Sequence, residues 1–338
     1  MDPTSLEEIY ASVNKDAKKV YIVPLIRYSH KQSDYLYLLY EEIIQNNNYE
    51  ITSISVFNHF KLLAGAITHK NAILHYHWLE FQDLKSLFGM PWKMMCVYLF
   101  QKLGGNIVWT LHNEFPHDQK YLTLHSFLHK KMAEWADILH VHCEAAIGIM
   151  SSRLEAPKEK FRIIPHPEFP AQPIEKERAI DNLNTEFQCQ LATGIPILLM
   201  FGNISLYKQI DQVAELVINI EQDCKLLVVG PVKKGNLKLY RKLMQYEKQS
   251  GRIKVIPNFI QEDHVPWFYS AADICIFNYR EILSSGGYHM AKAYNKTVIA
   301  PDLGCLTEVS NQPNVFLFQH QDELNSLLNQ QLKAIKNG

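Results

Sequence analysis

Short runs of aliphatic and β-branched residues alternate along the whole chain with longer stretches whose apolar positions recur every three or four residues. That alternation predicts βα units around parallel sheets. In the first half the strand-like runs are 19–26 (KVYIVPLI), 51–57, 72–79, 106–113, 137–144 and 161–167, and helical spacing runs over 34–46, 91–103 and 121–135. Pro91 suits the first turn of its helix, where no backbone N–H is needed. In the second half, runs at 195–202, 224–230, 252–257, 273–278, 297–301 and 314–318 alternate with helices predicted near 207–220, 235–249, 263–271, 285–294 and 320–335. Between them the chain turns polar and proline-punctuated, as a linker with one helix of its own would. The expected organisation is a domain over 1–167, a linker over 168–194 and a domain over 195–338, whose last helix packs back toward the first half. The fold class is α/β: two doubly wound lobes facing a central cleft, with ligands at the carboxyl ends of the strands.

Length and composition narrow this picture. A chain of 338 residues exceeds what one compact core usually accommodates, and 47% hydrophobic against 20% charged residues supports well-buried cores. Residues 1–166 carry 17 basic and 17 acidic side chains, and 167–338 carry 17 and 18, so neither half is a platform for nucleic acid. The six cysteines lie far apart with no C-x-x-C pair and read as buried, reduced thiols. The first 18 residues are acidic and polar, unlike a secretory signal, and the longest apolar stretch is broken by Gly89, Pro91 and Lys93. A cytoplasmic protein is expected. Residues 91–103 (PWKMMCVYLFQKL) read first as a core helix, with peripheral contact at the inner face of a membrane as the alternative.

Four strands of the first half end at or just before a histidine: His77, His112, His142 and His166. Parallel strands bring such ends to one rim, together with Trp78, Asn113, Glu114 and Glu144. For each histidine the competing reading is a strand end hydrogen-bonded to loop backbone. His75 with His77 and His140 with His142 have the spacing of paired metal ligands on a strand, but no H-E-x-x-H or cysteine set accompanies them, and no metal is expected. The sequence lacks a G-x-S-x-G elbow and a G-x-G-x-x-G turn. Gly230 and Gly235 have P-loop spacing, yet Asn236 and Leu237 follow where Lys and Ser or Thr should stand, so that motif is rejected.

In the second half, Ser284-Ser285-Gly286-Gly287 places a capping hydroxyl and open backbone N–H groups at a helix start, which suits a diphosphate. An ordinary Ser-capped helix is the competing reading. Lys208, after the strand and glycine turn of LLMFGNISLYKQID, is a candidate phosphate cation at a helix start, where a cation is slightly unfavourable.

These segments carry a resemblance. PLIRYSHKQSDYLYLLYEEI (24–43), LHYHWLE (74–80), TLHNEF (110–115), FGNISLYKQID (201–211), NYREILSSGG (278–287) and APDLGCLTEV (300–309) resemble segments of GT-B glycosyltransferases, in particular the large family 4 of bacterial polysaccharide-assembly enzymes. The resemblance implies two Rossmann-like lobes, the first on the acceptor side and the second binding the nucleotide sugar. It implies a hexosyltransferase of polysaccharide biosynthesis, moving a sugar from a UDP- or GDP-linked donor to a hydroxyl of a glycan or lipid-linked acceptor, with no cofactor. By position Lys208 matches the diphosphate lysine, and Asn203 stands where an arginine is usual. Glu281, Ser284, Ser285, Gly286 and Gly287 match the donor loop, and Met290 stands where a second glutamate is usual. His112 matches a histidine facing the donor sugar, Glu114 is the weaker candidate base, and Arg27, Tyr28, His77 and Trp78 fall on the acceptor side. The departures at Asn203 and Met290 leave open a catalytically silent nucleotide-sugar-binding protein, and a nucleotide-sugar epimerase is the third reading.

Overall fold

The computed structural model describes residues 5–81, 87–116 and 120–337. The chain divides into two compact units, Met1–Pro167 and Glu168–Gly338. Each is built on a six-stranded, wholly parallel sheet.

In the first unit the strands are β1 (Lys19–Val23), β2 (Glu50–Ser53), β3 (Ile73–His77), β4 (Asn106–Thr110), β5 (Ile138–Val141) and β6 (Phe161–Ile163), ordered β2-β1-β3-β4-β5-β6. The helices are α1 (Leu6–Val13), α2 (Tyr35–Asn46), α3 (Phe60–Thr68), α4 (Met90–Lys102), α5 (Leu122–Trp135) and α6 (Glu144–Leu154). β1 and β3 are buried at every position, as strands covered on both faces must be. Ser5 opens α1 with a capping box to Glu8, and Asp34 caps α2 by accepting from Tyr37 N.

The second unit begins with the segment read as a linker. Its helix α7 (Lys176–Phe187) buries Ala179, Ile180 and Leu183 in the unit's own core, beside Phe268 and Tyr269. The strands follow as β7 (Ile197–Phe201), β8 (Lys225–Val229), β9 (Ile253–Ile256), β10 (Ile274–Ile276), β11 (Thr297–Pro301) and β12 (Val315–Phe318), ordered β12-β11-β10-β7-β8-β9. Helices α8 (Ile210–Asn219), α9 (Leu237–Ser250), α10 (Val265–Ala271), α11 (Gly286–Ala293) and α12 (Gln321–Asn337) complete it. The last helix, α12, places Leu324, Leu328 and Leu332 in the core on one face of this same sheet. Cys96, Cys189, Cys224 and Cys275 are free and buried, so the reading as reduced thiols holds for these four; Cys143 and Cys305 are disulfide-bonded, which corrects it for those two. No helix among the described residues is long and apolar enough to cross a membrane.

Candidate functional site

In the second unit, β7 and β10 are hydrogen-bonded neighbours, so the chain leaving one strand lies beside the chain leaving the other. After β7, Gly202 turns with φ of +100°, and its N–H donates to Val229 O at 2.8 Å. Gly230 comes so close that a Cβ there would stand 2.6 Å from the Gly202 carbonyl oxygen, which is why both positions are glycine. Asn236 ties the two loops together: it accepts from Leu206 N at 2.9 Å and donates to Lys233 O at 3.2 Å. The residue that ruled out a P-loop thus has a structural task.

A 3₁₀ turn, Leu206–Lys208, folds the lysine back over the strand end, and its ammonium donates to Phe201 O at 3.0 Å. Lys208 is 8% exposed, burial pushes its pKa down from 10.5 to about 8, and no acid among the described residues offsets that. Holding a cation out of water without a counter-charge is costly, and such perturbed groups concentrate at functional sites. The candidate phosphate cation is therefore an interior group, not a solvated side chain. Asn203, by contrast, is exposed.

After β10, Asn278 is buried and donates to Gln209 O at 3.4 Å and Gln212 Oε1 at 3.3 Å. Arg280 N donates to Tyr207 O at 2.8 Å, and the Tyr207 and Tyr279 rings stack at 5.8 Å between centroids. These bonds clamp the Lys208 loop against the 278–287 loop. Ser285 caps α11, accepting from Tyr288 N at 3.2 Å, and its hydroxyl pairs with Tyr279 OH at 3.1 Å. Gly287 lets the helix start approach the strand, since a Cβ there would stand 2.9 Å from the Phe277 ring. The Ser284 hydroxyl is buried without a hydrogen-bond partner among the described residues. Glu281 is half-buried in the same loop, and Met290 packs against the core.

The strand-end histidines of the first unit form a chain of neutral imidazoles. Tyr10 OH is hydrogen-bonded to His75 Nδ1 at 2.7 Å, His75 Nε2 to Thr110 Oγ1 at 2.7 Å, and that hydroxyl to His140 Nδ1 at 2.8 Å. A second chain runs from Tyr40 OH to His77 Nε2 at 2.7 Å and from His77 Nδ1 to His112 Nε2 at 3.0 Å. Burial holds His77, His112 and His140 well below the ordinary histidine value. His77 is fully buried with both ring nitrogens engaged, so it reaches a ligand only through His112. His142 joins Tyr35 OH at 3.0 Å and Ile164 O at 2.8 Å, and His166 pairs with Pro167 O at 2.8 Å, as the backbone-bonded reading expects. Among the described residues no three His, Cys, Asp or Glu side chains are gathered as metal ligands.

Trp78 follows β3 with φ of +44°, the left-handed region that a bulky residue rarely adopts, and its ring stacks on His112 at 4.1 Å. Trp78 and Arg27 line a cavity of about 520 Å³ with Asp34, Tyr35 and Ser55, at the carboxyl ends of β1, β2 and β3. Tyr28 is exposed nearby, with its ring edge-on to Tyr37. Glu114 is half-buried two residues past His112. Sequence reasoning missed Tyr10, Tyr35 and Tyr40, which hold the histidines. Their spacing on two helices signals only an apolar face.

No protein-family model and no curated protein matches the sequence. Solved structures do match. Sucrose-phosphate synthase from Thermosynechococcus elongatus superposes with a TM-score of 0.69 at 15% identity, over 95% of this chain and 90% of that one. The Anabaena protein HepE in complex with UDP-glucose gives 0.65 at 12% identity, over 94% and 92%. A UDP-forming α,α-trehalose-phosphate synthase from Burkholderia vietnamiensis gives 0.62 at 9%, over 95% and 92%. Two parallel six-stranded α/β units with this extent of superposition define the class: the chain has the GT-B fold, the architecture of these glycosyltransferases.

Proposed function

We propose that the chain is a glycosyltransferase of the hexosyl type, moving a sugar from a nucleoside-diphosphate donor to a hydroxyl of a glycan or lipid-linked acceptor in the assembly of a polysaccharide or glycolipid. The observation that carries this reading is Lys208, a buried cation without a counter-charge among the described residues, at the carboxyl end of β7 and clamped beside the Ser-capped start of α11. When a sugar leaves a diphosphate, negative charge grows on the departing phosphate. Lys208, buried at the strand end, and the N–H groups of Gly286 and Gly287, at an open helix start, are the groups we assign to that charge. HepE with UDP-glucose and a starch synthase from Arabidopsis thaliana with ADP and acarbose are GT-B structures that hold such nucleotides, which favours the same donor class here.

In the first unit, His112 is held by His77 and Trp78 with Nε2 engaged, which leaves Nδ1 as the nitrogen to meet a donor sugar or an attacking hydroxyl. Its neutral imidazole can accept a proton. Arg27 and Trp78 are assigned to the acceptor, with Tyr28 beside them.

Incubation with UDP-, GDP- and ADP-sugars, with and without lipid-linked acceptors, should release free nucleotide from one donor. His112→Ala should lower kcat by about 100-fold or more, with nucleotide affinity unchanged within a few-fold. A change in thermal midpoint with kcat intact would return His112 to packing. One observation favours a second reading, a nucleotide-sugar-binding protein without turnover: Met290 packs into the core where a carboxylate would serve the nucleotide. Tight donor binding with no release under any acceptor would select it.

A further inference from the structure

Helices α3 and α4 lie side by side on one face of the first sheet, and both carry apolar side chains on the wrong side for a core. On α4, Met90, Met94, Val97 and Phe100 face inward. Trp92, Met95 and Leu99, continued by Phe88 before the helix and Leu103 after it, form a second stripe at helical spacing that is exposed. On α3, Leu62, Gly65 and Ala66 are buried, while Phe60 and Ile67 are exposed, and Phe57 just before the helix is 90% exposed. A helix apolar on both sides belongs in a core or at a lipid interface, and half of α4 is in no core among the described residues. Sequence reasoning placed 91–103 in the core, and the structure grants that for its inner stripe alone.

The charges say what covers the outer stripe. Helices α3 and α4 contain not one Asp or Glu, and of their lysines Lys61 and Lys102 are exposed while Lys93 is half-buried. Lys102 lies over the ring of exposed Tyr98 at 5.3 Å, with its ammonium at the margin of the apolar patch. Tryptophan and tyrosine at the rim, methionine and leucine between them, and lysines that reach outward make up the composition of a surface seated in the headgroup region of an anionic bilayer. An acidic protein partner would be met by more cations and fewer large apolar groups.

We propose that the α3–α4 face docks on the surface of an anionic lipid bilayer. Each helix runs back against the strand it follows, so Phe57, Phe60, Phe88 and Trp92 stand toward the carboxyl ends of β2 and β3, the rim where the cavity of Arg27 and Trp78 opens. The bilayer surface is thereby brought to the acceptor end of the sheet. The docking itself does not rest on the transferase reading and is measured without any donor.

The test is co-sedimentation of the full chain with vesicles of phosphatidylglycerol and phosphatidylcholine in equal parts, against phosphatidylcholine alone. The wild type should sediment with the anionic vesicles and stay in solution with the neutral ones. Trp92→Glu combined with Leu99→Glu should lower partition by about 100-fold. Lys61→Glu and Lys102→Glu, each a change of two charges, should each lower it by roughly 10- to 30-fold, and rising salt should weaken it. These positions are exposed, so the unfolding midpoint of every variant should match the wild type. Failure of the wild type to bind anionic vesicles, equal binding to neutral ones, or undiminished binding by the double variant would overturn the proposal. So would a wild-type dimer that Trp92→Glu converts to a monomer, since that face would then belong to a second copy.

Discussion

Lys208→Ala should lower donor turnover by about 100- to 1000-fold, the scale of losing one charge-stabilising donor in a dry site. The same change removes a buried cation with no counter-charge, so the second unit should unfold at the same temperature or higher, not lower. A lysine kept for structure would show the reverse, with a lowered midpoint and intact turnover. Its pKa adds a pH signature. Burial lowers the folded-state value from 10.5 to about 8. Between those values the unfolded chain holds a proton that the folded chain has released, so the contribution of Lys208 to stability rises with pH across that window. Donor affinity should move the other way, because above about pH 8 the ammonium assigned to the diphosphate in the proposed reaction is progressively lost. Donor KM measured from pH 7 to 9.5 should climb in the wild type and stay flat in Lys208→Ala.

The second large effect is acid unfolding confined to the first unit. His59, His75, His129 and His166 are buried there, and burial lowers them from 6.5 to about 4, 3, 4 and 4. A histidine lowered in the folded state stays neutral while its unfolded counterpart takes up a proton. Stability therefore falls as pH drops below 6.5, at about 1.4 kcal/mol per pH unit for each group until its folded value is reached. By pH 5 these four together remove on the order of 5–10 kcal/mol, comparable to the whole stability of a domain. The histidines of the second unit, His264, His289 and His320, are half-buried or exposed. Four of the five tryptophans, Trp78, Trp92, Trp109 and Trp135, lie in the first unit. Tryptophan emission should thus shift to the red between about pH 6 and 4 while roughly half of the far-ultraviolet dichroism persists. Coincident loss of both signals, or emission unchanged down to pH 4, would contradict this account.

The twelve strands among the described residues were legible in the sequence chiefly because a strand covered on both faces reads as a near-continuous apolar run, as in Ile197–Phe201; the part-exposed β2 shows it least. The runs were read too long, since residues such as His112 and Asn113 are strand-like in composition but lie past the last hydrogen-bonded pair, at Thr110. Helices α1, α3 and α6 escaped notice. At 8, 9 and 11 residues they span two or three turns, and FKLLAGAIT and EAAIGIMSSRL show no single apolar stripe because packing, not pattern, decides their faces. The site was legible only in part. Serine before two glycines announces a helix cap, and Ser285 makes one. Nothing in LYKQ reveals that Lys208 folds inward, because its burial depends on Gly202 and on an asparagine some thirty residues away. The histidine ends were visible as a pattern, but their tyrosine partners sit on α1 and α2, far off in the chain, where sequence spacing carries no record of them.

Gly202 and Lys208 are a single heritable unit. The place where a methyl group on Gly202 would sit lies 2.7 Å from the lysine ammonium, so any side chain there must push the charge from its place, at a backbone φ of +100° that itself disfavours one. Among descendants of this chain, drift at position 202 would come only after the cation had lost its purpose. That makes an unreactive residue the sharper witness to whether a lineage still needs the ammonium where it stands.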